Sequence, residues 1–164
     1  MTPVDKPAAD KARAAPRPVS KQRLRLWLRL LRATRGIESE LRERLRKEFD
    51  VTLPQFDVMA ALARKEDGMS MTELSRSLMV SNGNVTGIID RLAAEKLVLR
   101  HAPVTDRRSY IVRLTPKGAA HFAGMAKAHE IWVDDLLAEI GATEADELIP
   151  QLEALAVRVR GEDQ

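Results

Sequence analysis

The sequence contains no cysteine, which excludes structural disulfides, thiolate metal sites, and nucleophilic or redox-sensing thiols together. No apolar run approaches the ~18 residues that a membrane-spanning helix needs, and the longest ones are broken by Arg or Asp. Residues 1–19 are basic and rich in Ala and Pro, without the continuous apolar stretch of a secretory signal. Catalytic patterns are missing as well. No acid is paired with a histidine at a recognisable spacing, there is no Gly-rich phosphate loop, and no nucleophile lies near a base in a known motif. His101, His121 and His129 are scattered, so no metal site is expected. These absences predict a soluble cytoplasmic protein that is not an enzyme and needs no cofactor, metal or membrane.

What is present is a globular balance, 45% hydrophobic and 31% charged over 164 residues, enough to predict folding and to exclude wholesale disorder. The net charge of +3 is unevenly placed. Residues 1–25 carry seven Lys/Arg against two acids, residues 26–129 eighteen against twelve, and residues 130–164 two against ten. A basic body suggests a polyanionic partner, and an acidic end a solvated face.

Four stretches follow from the periodicity. Residues 1–19, with Pro3, Pro7, Pro16 and Pro18, have too little apolar surface to offset ordering and are expected to be a flexible basic tail, and residues 161–164 a short C-terminal tail. Ser20 is a candidate N-cap for a helix running to about Glu48, with Leu24, Leu28 and Leu31, then Leu30, Ile37, Leu41 and Leu45, at three- and four-residue spacing. A helix this long normally packs on a second chain or a distant element. Residues 53–115 hold a second helix from about Pro54, with Phe56, Met59, Ala60 and Leu62 on its buried side. A short helix capped by the box Ser70-x-x-Glu73 follows, then a turn at Val80-Ser81-Asn82 and a further helix to about Lys96. Two short helices joined by a few turn residues outline a helix-turn-helix. Leu97–His101 and Tyr110–Leu114 then read as the strands of a β-hairpin whose tip is the polar loop 102–109. From Thr115-Pro116 a helix runs to about Ile140, and Thr143-x-x-Asp146 resembles a capping box for a last helix to about Arg160. Pro150 lies inside that last helix and is expected to kink it. The fold class is mainly α with a small β-hairpin wing.

The candidate chemistry lies in two places. Val85, Ile88, Ile89 and Leu92 make the core face of the helix from Asn82. The opposite face shows Asn82, Gly83, Asn84, Thr86, Gly87, Asp90 and Arg91, with Ser81 at its start. This set is short and polar. Small residues let a helix sink into a major groove, where Asn, Thr and Arg reach base edges or phosphates. Solvated faces favour Glu, Lys and Gln instead, and each interior glycine costs ~1 kcal/mol. At the hairpin tip, Arg107 and Arg108 suit the minor groove. Asp106 beside them is placed to orient an arginine, in the wing or Arg91, through a bidentate pair.

The run Leu53-Pro-Gln-Phe56, Met71-Thr-Glu-Leu-Ser75, Gly83-Asn-Val-Thr86, Ile89-Asp-Arg-Leu92, Leu97-Val98, Thr105-Asp-Arg-Arg-Ser109 and Leu114-Thr-Pro-Lys-Gly118 resembles the MarR family of dimeric winged-helix transcriptional regulators. Its most specific element is Asp106, Arg108, Leu114 and Thr115, and the likeness extends over about residues 22–160. The resemblance implies that residues 20–52 and 116–160 intertwine with a second copy into a homodimer. It also implies that the helix from Asn82 reads double-stranded DNA and that the hairpin is the wing. Pro150 is not a feature the family leads one to expect. The resemblance further implies release from DNA by a small organic anion, a phenolic acid or an acyl-CoA thioester as in the branch governing hydroxycinnamate breakdown. Arg25, Arg29 and Arg32 would then meet phosphates, with Trp27, Leu31, Phe56 and Met59 around the organic part. Two alternatives remain open: a winged-helix DNA-binding factor with no ligand, and a winged-helix protein–protein module.

Overall fold

The computed structural model describes residues 18–101 and 110–160, with the backbone alone at Asn82 and Arg160. Residues 1–17 of the expected tail 1–19, and 161–164, lie outside the described residues, as does the hairpin tip 102–109, while Val19 of that tail already belongs to a helix. In chain order the described elements are α1 (Val19–Phe49), α2 (Leu53–Ala63), β1 (Met69–Ser70), α3 (Met71–Leu78), α4 (Asn82–Ala94), β2 (Val98–His101), β3 (Ile111–Leu114), α5 (Pro116–Leu136) and α6 (Ala142–Arg160). They fall into two compact units divided between Gly36 and Ile37. None of these helices is long and apolar enough to cross a membrane.

The first unit is the N-terminal part of α1. The helix starts at Val19, one residue before the expected cap: the Pro18 carbonyl accepts from the amides of Lys21 and Gln22 at 2.9 and 3.2 Å, so Ser20 lies inside the first turn. Leu24, Leu26, Trp27 and Leu28 are all more than half exposed there.

In the second unit the core is built where the apolar spacing put it. Leu41 and Leu45 of α1 are buried with Phe56, Val58, Met59 and Leu62 of α2, Leu74 of α3, and Val85, Ile89 and Leu92 of α4. Val98, Val112, Met125 and Trp132 complete it from the sheet and α5. The caps follow local rules. Thr52 and Gln55 form a capping box that encloses Pro54, and Ser70 and Glu73 form another. In the second box the Glu73 carboxylate accepts from the Ser70 amide at 2.7 Å and from Lys65 Nζ at 2.6 Å. The bond from Lys65, reinforced by that amide, draws its pKa down to about 2.

Three helix ends depart from the usual glycine. Asp50, Met79 and Lys96 take left-handed backbone with φ of 55°, 54° and 60°. After α4 the Leu97 amide reaches the Leu92 carbonyl at 2.9 Å and the Lys96 amide the Ala93 carbonyl at 2.9 Å, the double bond of a Schellman motif. Thus α4 ends at Ala94, two residues before the expected limit. α5 likewise ends at Leu136, short of Ile140. The box at Thr143 and Asp146 does not form: α6 starts at Ala142, and the carboxylate reaching back is that of Glu144, which accepts from the Gly141 amide at 3.1 Å. α6 runs through Pro150 without ending. Gln151 Nε2 donates to the Glu147 carbonyl at 3.0 Å beside it, serving an acceptor next to the interrupted ladder.

The sheet has the order β1-β3-β2 and is antiparallel throughout. The expected hairpin pairs Val98 with Leu114 and His101 with Ile111. A third strand, β1, joins its other side, pairing Met69 with Val112. One junction ties these parts together. The Thr115 hydroxyl donates to the Lys96 carbonyl at 2.8 Å, and Thr115 Oγ1 accepts from the Gly118 amide at 2.9 Å. The Thr115 amide bonds the Leu97 carbonyl at 3.0 Å. Gly118 is packed so closely that a Cβ would stand 1.9 Å from that same carbonyl oxygen. Gly118→Ala is therefore expected to destabilise the protein by about 3 kcal/mol, the upper end of overpacking costs, because backbone must move. Chemical denaturation of the variant and parent checks this.

Candidate nucleic-acid interface

The helix-turn-helix consists of α3, the turn Met79–Ser81 and α4. The Ser81 hydroxyl caps α4 by accepting from the Asn84 amide at 3.4 Å, so the acceptor side of this residue is engaged locally. Val85, Ile89 and Leu92 are fully buried and Ile88 partly so, which fixes the rotation of the helix. Gly83, Asn84, Thr86, Gly87, Asp90 and Arg91 are consequently exposed on its other side. Gly83, Thr86, Gly87 and Asp90 follow one another at i, i+3, i+4 and i+7, one strip along the helix.

The glycines of this strip have no internal explanation. A Cβ added to Gly83 or Gly87 would meet nothing within 4 Å, and neither takes a left-handed conformation. Alanine would fit and favour the helix, so nothing among the described residues requires glycine there. Beside the strip, the apolar side chains of Met79 and Val80 are 78% and 39% exposed in the turn.

The wing begins where the sheet leaves the core. Val98, Val112 and Leu114 face inward, and at the next inward register on each strand stand Arg100 and Tyr110, both exposed. Arg100 Nη2 donates to Asp90 Oδ1 of α4 at 2.5 Å. Arg100 was not among the residues selected from the sequence. The alternation was the available signal, since Val98-Leu-Arg-His puts Arg100 on the same side as a core residue, where a cation needs a partner. Asp106, Arg107 and Arg108 at the wing tip lie outside the described residues, so no pair between Asp106 and Arg91 can be placed.

Of the residues chosen for a ligand, Arg25, Trp27, Arg29, Leu31 and Arg32 belong to the first unit and Phe56 and Met59 to the second. Arg25, Arg29, Leu31 and Arg32 line one shallow, open hollow on α1 together with Leu28 and Arg35. Trp27 is 57% exposed and is not part of its wall. Phe56 and Met59 are core of the second unit. Met59 is fully buried, and Phe56 stacks on His129 with ring centroids 4.6 Å apart and packs on Phe122 at 5.6 Å. Burial pushes the His129 pKa down, favouring the neutral ring. His121 meets Phe49 edge-on at 6.3 Å.

Comparison with known proteins agrees with this geometry. Residues 49–109 match the MarR family. The HTH-type transcriptional regulator MhqR of Bacillus subtilis is 22% identical over 142 residues, covering 87% of this chain and 97% of MhqR. A MarR family transcriptional regulator from Silicibacter pomeroyi has 30% sequence identity and a TM-score of 0.73, covering 88% of this chain and 99% of that one. A MarR family transcriptional regulator from Streptomyces coelicolor, solved in complex with DNA, shares the fold at a TM-score of 0.77 and 18% identity, covering 88% of this chain and 91% of that one. With 30% identity carried across practically the whole of a family member and the same helix-turn-helix and winged sheet, the chain belongs to the MarR family of winged-helix transcriptional regulators.

Proposed function

We propose that this protein is a homodimeric, sequence-specific DNA-binding repressor that leaves a pseudo-palindromic operator when it binds a small organic anion. The observation that carries the DNA reading is the strip on α4. Two exposed glycines, neither needed by the fold, lie among short polar side chains on a helix whose opposite face is locked into the core. Such a surface admits another backbone to close range, and the major groove of DNA is the partner that suits Asn, Thr and Arg. Arg107 and Arg108 supply the wing with the cations that a narrow minor groove attracts. The DNA complex of the Streptomyces coelicolor relative supports the same use of this fold.

Dimerisation is supported by apolar surface the single chain leaves open. Leu24, Trp27 and Leu28 are exposed in the first unit, and Ile131, Ile149, Leu152 and Leu155 in the second, each between 47% and 60%. Lone exposed apolar residues are ordinary, but a series along α1 and along α6 marks an association surface.

The stability and affinity of one variant test the α4 assignment together. Gly87→Ala is expected to raise stability by up to about 1 kcal/mol through helix propensity. It should weaken operator DNA by roughly tenfold, about 1.4 kcal/mol, because the added methyl stands where the groove must approach. A variant that gains stability and binds DNA like the parent would remove α4 from the interface.

The effector reading rests on the cationic hollow of Arg25, Arg29, Arg32 and Arg35, which suits an anion bearing carboxylate or phosphate groups. In a thermal-shift screen of phenolic acids and their coenzyme A thioesters, one member is expected to stabilise the dimer and release DNA. DNA must then weaken that ligand by the same factor, commonly 5–150-fold. If no organic anion shifts either the melting curve or the DNA affinity, the protein is a DNA-binding factor without a ligand.

A further inference from the structure

We infer that the guanidinium of Arg100, held in place by Asp90, grips a phosphodiester of the DNA backbone at the root of the wing. The inference rests on the DNA reading above and adds to it a positioning role for Asp90 and a phosphate contact from β2 that lies outside both α4 and the wing tip. Asp90 ends that strip. A carboxylate on a surface that meets DNA repels phosphate unless a cation neutralises it, and Arg100 does so from β2. One ion pair uses a single Nη2–H of a group with five donors in a planar fork, and the Arg100 side chain remains 34% exposed.

Those remaining donors have somewhere to act. Arg100 lines an open cleft of about 430 Å³ with Thr86 of α4, Met71 at the start of α3, and Tyr110 ahead of β3. Tyr110 is 51% exposed and lines the same cleft, and its phenol carries a hydroxyl donor. Cation, hydroxyl and apolar floor are therefore collected between the helix and the wing, contiguous with the strip through Thr86. A polyanionic strand running along α4 passes this cleft before it reaches the wing. The ion pair is solvent-exposed, so its value to stability is small, and its role is to hold a long flexible cation in one direction. A phosphate bound in this way carries no sequence information and sets register instead.

The test measures binding to a mixed-sequence duplex of about three helical turns across a salt series, for the parent and for R100A, R100K, D90A and the D90A/R100A double variant. Loss of one phosphate contact is expected to lower the slope of log affinity against log salt by about 1 in R100A. R100K should keep the slope and lose part of the affinity, since it retains the charge without the fork. D90A gives the decisive sign. Removing an acid that lies near DNA tightens binding on charge alone, and that is the expected result in the R100A background. With Arg100 present, D90A is expected to weaken binding, because the guanidinium loses its orientation. Inorganic phosphate should compete with the duplex more than chloride at equal ionic strength, and R100A should abolish the difference if the cleft also takes free phosphate. Unchanged slope in R100A, or tighter binding by D90A in both backgrounds, overturns the inference while leaving the DNA reading intact. Failure of the parent to bind any duplex overturns both. Unaltered melting curves for all variants separate these outcomes from misfolding.

Discussion

Everything that the second unit presents outward depends on how Thr115 and Gly118 close the chain onto Leu97. The Thr115 hydroxyl holds the Lys96 carbonyl, its amide holds that of Leu97, and Gly118 lets α5 begin in direct contact with the same peptide. Four elements meet at this point: the end of α4, the start of β2, the end of β3 and the start of α5. Lys117 Nζ adds a bond to the Glu95 carbonyl at 2.9 Å. The junction thus fixes the root of the wing relative to α4 through hydrogen bonds to backbone carbonyls, whose directionality a purely apolar contact would not supply.

From that anchor the logic runs outward. The apolar side of α4 is locked by Val85, Ile89 and Leu92, so the polar side has no freedom to rotate away from solvent. The sheet continues past its apolar inner face to Arg100 and Tyr110, and the pair of Arg100 with Asp90 spans from wing to helix. Rigid placement of small and polar groups is what a recognition surface needs, since ordering them on binding would cost conformational entropy. The surfaces that remain apolar and open, on α1 and α6, are of a different kind and suit a second copy.

Most features governed by neighbours three or four residues apart were legible in the sequence, although Thr143-x-x-Asp146 carried the same signature and formed no box. Ser70 with Glu73, Thr115 with Pro116, and the core spacing Val85, Ile89 and Leu92 all form as local rules require. Thr52-x-x-Gln55 obeys the same rule and was readable, although Pro54 drew attention first. The pairing of β1 with β3 was not. β1 is only Met69–Ser70, too short for any periodicity, and exists because Ile111 and Val112 offer it a partner edge. Helix ends at Asp50, Met79 and Lys96 carried no glycine to mark them. Phe56 and Met59 show a further limit: a pocket wall and a core position call for the same side chains, so the sequence pattern does not distinguish them, and both are buried here.

The central claim is that two copies of α4 and its wing meet one duplex about a two-fold axis. Hydroxyl-radical footprinting of the full-length protein on a duplex selected from a random pool addresses it directly. The account requires two equivalent protected regions, related by the dyad of an inverted repeat and centred about one helical turn, ~10 bp, apart. A single asymmetric protected region, or protection that ignores sequence, would contradict it.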